Sequence, residues 1–116
     1  MNISIFKKYA TNVESIEQCK NLLEKEFSVI FTHHESLYAE FYYKTTFLNS
    51  TLSLSNNYSV GEDYWVAPDF KKLNSILSVS ISHGKKRDRL ETDKAICEKL
   101  IILNFQLVDI YEKEVP

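Results

Sequence analysis

Glycine, proline and cysteine each occur only twice in the 116 residues. A dinucleotide-binding fingerprint needs three glycines within one turn, and a phosphate-binding loop needs two beside a lysine. Gly61 and Gly84 stand far apart, so neither motif exists here. Cys19 and Cys97 form no Cys-x-x-Cys pair, the spacing that holds zinc or cycles between thiol and disulfide. Each falls in a helix-like apolar pattern and reads as a buried thiol. A disulfide between them would need two helices packed with α-carbons close, and the cytoplasm would disfavour it. Long hydrophobic runs are missing too. The longest wholly apolar stretch is Leu100–Leu103, and Met1–Lys8 lacks the apolar centre of a signal peptide. A soluble, cytoplasmic protein is expected. Nor is there an excess of one charge: 14 Lys and Arg face 16 Asp and Glu, a net charge of -2. Binding to duplex phosphates is driven by counterion release and favours basic chains, so composition gives that function no support.

What the chain does have is apolar and aromatic mass. It is 44% hydrophobic and 13% aromatic, enough for one domain with one core and against disorder. Thr11-Asn-Val-Glu14 has capping-box spacing. Val13, Ile16, Cys19, Leu22, Leu23 and Phe27 follow it at helical period, which predicts an amphipathic helix over 12–26. The period then falls to two. Strands are predicted over 28–33, over 37–44 after a turn at Glu35-Ser36, and over 48–55 after a turn at Thr45-Thr46. Residues 58–74 break the alternation with a glycine, a proline, the only Trp and several acids, and read as a long aromatic loop. Leu77, Val79 and Ile81 alternate with Ser78, Ser80 and Ser82 in a fourth strand. His83–Arg89 reads as a basic turn, and residues 90–103 as a second helix with Asp88, Glu91 and Asp93 near its start. Over 104–112 periodicity alone does not separate a last strand from a helix running on to Glu114, though the β-branched and aromatic content leans to strand. The expectation is one α+β domain, an antiparallel sheet of four or five strands with two helices on one face, in the order α-β-β-β-β-α-β. An open, polar sheet edge would also allow a homodimer.

No catalytic constellation emerges, and no cofactor or metal is expected. His33-His34-Glu35 is the nearest to a metal motif, but adjacent strand residues point to opposite faces. No serine sits in a glycine-flanked elbow. Two surfaces remain. Lys85, Lys86, Arg87 and Arg89, with Tyr38, Tyr42 and Tyr58, would suit a single-stranded nucleic acid, whose bases stack on rings above a cationic groove. The plainer reading is a solvated turn. Tyr64 and Trp65, rimmed by Glu62, Asp63 and Asp69, would anchor a cationic protein partner. The plainer reading there is a Trp folded inward over the edge of the core.

The strand series Leu37–Lys44 and Thr51–Ser55, then Tyr64–Phe70 and Ile76–Ser82, resembles small bacterial immunity proteins of contact-dependent growth inhibition and related polymorphic toxin systems. The resemblance covers about half of the chain. It implies a cytoplasmic, non-enzymatic protein that binds a cognate toxin domain, such as a nuclease, and blocks its active site. It transfers no residue roles, because each toxin pair shapes its own interface. The rival expectation is the nucleic-acid module.

Overall fold

Ser15, rather than Thr11, starts the first helix. Its hydroxyl accepts the Gln18 N–H at 3.1 Å, so the helix cap lies four residues later than the sequence pattern placed it. The computed structural model describes residues 2–13, 15–35, 41–59 and 64–115. Glu14, the acid of the predicted box, lies outside the described residues, and Thr11 is the last residue of a strand instead.

That strand, β1 (Asn2–Thr11), precedes the helix α1 (Ile16–Phe27). Then come β2 (Thr32–His34), β3 (Tyr42–Phe47), β4 (Ser50–Asn56), the short β5 (Tyr58–Ser59) and β6 (Tyr64–Trp65), a single 3₁₀ turn (Pro68–Phe70), β7 (Ser75–Ile81), α2 (Lys86–Ile102) and β8 (Gln106–Val115). Six strands form one antiparallel sheet in the order β2-β3-β4-β7-β1-β8, and β5 with β6 makes a separate two-stranded ribbon. The α+β class with two helices is as predicted. The count of four or five strands is corrected to six, and the element order gains a leading strand. The sheet is also no simple meander, because β1 inserts between β7 and β8.

β1 escapes a period-two search because both of its faces are used. Ile5 and Tyr9 enter the main core, while Ala10 is buried on the opposite face against Ala67 and Ile76. A strand covered on two sides loses the apolar-polar alternation that marks a half-buried one. The main core collects the odd-numbered side of β1 and β7 and the even-numbered side of β4. Ile16, Cys19, Leu23 and Phe27 of α1 and Ile96 and Leu100 of α2 close over it, so both helices lie on one face.

The turn after β3 falls at Leu48-Asn49, and the predicted Thr45-Thr46 turn is strand. Leu48 is an unfavourable turn residue with φ 53° and an exposed side chain. Tertiary bonds outweigh that preference. Asn49 Nδ2 donates to the His83 carbonyl at 2.7 Å, Thr92 donates to Asn49 Oδ1, and Ser50 donates to the Phe47 carbonyl at 2.6 Å. Much of the predicted strand over 37–44 lies outside the described residues. The predicted strand over 28–33 shrinks to Thr32–His34, because Ser28 ends α1 in a left-handed conformation and the Phe31 N–H is held by Glu24 Oε2 at 2.8 Å.

The open question over 104–112 is resolved by a C-terminal cap. Asn104 adopts φ 62°, its N–H bonds Ile101 O at 3.1 Å, and the Phe105 N–H bonds Leu100 O at 2.9 Å. This is a Schellman closure, with the buried pair Leu100 and Phe105 at its sides. The helix stops and β8 begins. Among the described residues no helix is long and apolar enough to cross a membrane.

Candidate interaction surface

The face of the sheet turned away from the helices is polar in rows. Following the register across all six strands, Thr32, Lys44, Ser53, Ser78, Lys8 and Asp109 stand side by side. The next row runs Thr46, Thr51, Ser80, Phe6 and Tyr111. Between these rows lies a shallow cavity of about 160 Å³ lined by Lys8, Thr51, Ser53, Ser78, Ser80 and Asp109, among others. The small hydroxyl side chains explain the hollow: serine and threonine leave space that valine or leucine would fill.

Towards the other end of the strands the same face turns apolar, at Ala10 and Ile76, and there it is covered. The cover is the segment after β4. Ala67 is buried on Ala10 and Ile76, with Val66, Phe70, Leu73 and Val108 packed around them. Asn57 holds it down. Its side chain is fully buried. It donates to Phe70 O at 3.0 Å and Leu73 O at 2.8 Å and accepts from Ala67 N at 2.8 Å. Its own backbone bonds Asn74 O and Val66 N, each at 2.8 Å. Five hydrogen bonds therefore converge on the one residue between β4 and β5. The legible signal was an asparagine beside a strand end before a long irregular segment, since its amide can replace missing backbone partners.

This arrangement places the predicted aromatic anchor. Trp65 is half-buried, its ring centroid 4.9 Å from that of Tyr58 and its face 5.7 Å from Lys71 Nζ. It stands on the ribbon at the rim of the polar face while its neighbours Val66 and Ala67 do the capping. Asp69 is exposed on the 3₁₀ turn. Glu62 and Asp63 lie outside the described residues, as does the side chain of Tyr64, whose backbone pairs with Ser59 in the ribbon.

The basic group is divided. Lys85, Lys86 and Arg87 are exposed at the start of α2, and Arg87 Nε pairs with Glu91 at 3.2 Å one turn on. Arg89 is 1% exposed, with Nη1 donating to the Gly84 carbonyl. It is thus absent from the surface on which a nucleic acid would lie. The expected turn over 83–89 is a helix from residue 86, and its 3.6-residue period carries Arg89 inward with Thr92, Ile96 and Leu100.

Other chemistry-bearing groups hold the layers together. Lys7 Nζ meets Asp93 Oδ2 at 2.8 Å, fixing α2 over β1. Burial, with Asp93 and Cys97 nearby, pushes the Tyr9 hydroxyl well above its ordinary range. On α1, Glu17 accepts the Tyr43 hydroxyl at 2.5 Å, and that bond, with burial, pushes Tyr43 up to about 12. His33 and His34 take opposite faces. His33 lies edge-on to Tyr43, and His34 stacks on Tyr42 at 5.3 Å. Both cysteines are free thiols; Cys19 is buried, and desolvation pushes it up to about 12. No protein-family model matches the sequence, and a comparison with curated proteins finds no match either.

Proposed function

We propose that the chain is an immunity protein that binds a bacterial toxin domain, of nuclease type, and neutralises it by covering the active site. The observation that carries this reading is the helix-free sheet face that ends in an aromatic ribbon pinned by Asn57. At the centre of this face the short side chains of Thr51, Ser53, Ser78 and Ser80 let another protein's surface approach closely. A Tyr-Trp pair at its rim supplies area to bury at small entropic cost. Asp69, exposed on the 3₁₀ turn beside it, gives this rim an acidic group. Such a group suits the cationic groups with which a nuclease holds phosphate, and complementary charge also speeds encounter.

The test is co-expression with the toxin domain encoded beside it, scored by growth and by pull-down. The expected outcome is rescue and a stable complex. Trp65→Ala and Asp69→Lys should each weaken that complex about tenfold or more, while Lys85→Glu should leave it unchanged. A toxin domain that is neither bound nor neutralised sinks the reading. Affinity for oligonucleotides that falls steeply with salt would put the nucleic-acid module in its place.

A further inference from the structure

The two edges of the sheet are unequal. β2 is a three-residue edge, whereas β8 is a ten-residue edge whose outer side pairs with no strand among the described residues. Long, accessible edge strands are templates for another strand. The helix layer does not shield this one. Leu107 and Ile110, whose register partners Tyr9 and Lys7 lie under α2, are themselves 45% and 52% exposed. The flank of α2 on that side carries matching apolar groups. Asp93 and Cys97 mark the side turned to β1, and helical geometry places Leu90 and Ile101 further round the same flank. Both are exposed. An apolar trough therefore runs along the outer side of α2 above β8.

We infer that a second copy of this chain occupies it, with the two β8 strands pairing antiparallel about a two-fold axis perpendicular to the sheet. That axis keeps both helix layers on one side, so each copy's trough faces the other's. Charge selects the register. Residues opposite one another must share a face, so the axis has to pass through a residue position. Centring on Asp109, Glu112 or Lys113 sets like charges against each other, and centring on Ile110 pairs no opposite charges. Centring on Tyr111 sets Asp109 of each copy opposite Lys113 of the other, twice over. The β1 pairing puts positions 109, 111 and 113 on one face, across from Lys8, Phe6 and Ser4. The dimer forms through the sheet edge, so the polar rows on the face turned away from the helices stay available and the assembly does not compete with the proposed partner surface.

The test is the mass of the full chain by sedimentation across a concentration series. The wild type should be a dimer, and Lys113→Asp should weaken it about tenfold or more, since two attractions become two repulsions. Lys113 stands at the register position opposite the neutral Ser4 in its own sheet. Asp109→Lys should weaken the dimer similarly, and the double exchange D109K/K113D should restore it. Circular dichroism confirms that each variant is folded. A wild type that stays monomeric up to about 1 mM, where only millimolar affinity would be missed, overturns the inference. So does a dimer indifferent to Lys113→Asp, or one that the double exchange fails to rescue.

Discussion

Asn57 ties the segment after β4 together. Truncating it to alanine removes three side-chain hydrogen bonds and strands the carbonyls of Phe70 and Leu73 and the N–H of Ala67. Lost bonds that leave such groups unpaired cost roughly 1–3 kcal/mol apiece before relaxation, so Asn57→Ala should destabilise the segment over 57–74 by about 2–4 kcal/mol. Trp65 is the only tryptophan, so its fluorescence reports that segment alone. In urea, the variant's fluorescence transition should fall ahead of its circular-dichroism transition, while the wild type's coincide. Coincident transitions in the variant would show that the cap does not open by itself. The role of Asn57 was invisible in the sequence because it depends on partners up to 17 residues away that only the fold brings together.

At the scale of elements, the start of α2 separates what charge suggests from what packing does. Four cations within five residues read as one surface group, yet the helix buries the last of them. Arg89→Ala should cost roughly 3 kcal/mol, through the space it vacates and the Gly84 carbonyl it abandons. Lys86→Ala should stay within about 0.5 kcal/mol, as exposed changes do. Lys86→Glu should gain a few tenths, because the positive end of the helix dipole favours an acid there. Chemical denaturation of the three variants decides it: equal effects at 86 and 89 would contradict the burial of Arg89. The helices themselves were legible to within about four residues: the apolar period is strong in α1, whereas α2 leaves Leu90, Ile101 and Ile102 exposed and was marked by only part of its apolar residues. Their ends were less so. The capping signals at Ser15 and Asn104 were present, but hydroxyl and amide residues are common enough that only geometry picks the one in use. β1 was missed because apolar and charged residues stand on both of its sides, with Lys7 and Lys8 adjacent at its middle, so no clean alternation remains.

For the whole molecule, the interlayer acids of high pKa set an alkaline limit. Burial raises Cys19 to about 12 from an ordinary thiol value, and the Glu17 bond raises Tyr43 to about 12, with Tyr9 shifted the same way. A folded-state pKa above the unfolded one means that the folded protein holds its proton longer. The stabilisation is therefore complete below about pH 9 and is lost as pH rises from there towards 12. Denaturant midpoints between pH 8 and 11 should fall with increasing steepness. Tyr43→Phe should flatten the part of the curve above pH 10, and a level profile would refute the assignment. The layered α+β plan was legible in the sequence, but the polar face was only half so. Alternating serines announced it, whereas its extent depends on β1, which brings Phe6 and Lys8 into the middle of the sheet. That central placement has a kinetic side. Ile5 must wait for Ile81 on one flank and for Glu112 on the other. Such distant partners give the chain a high contact order, so closing the sheet is a slow, late event that a ribosome cannot begin to complete until nearly all of these residues have emerged.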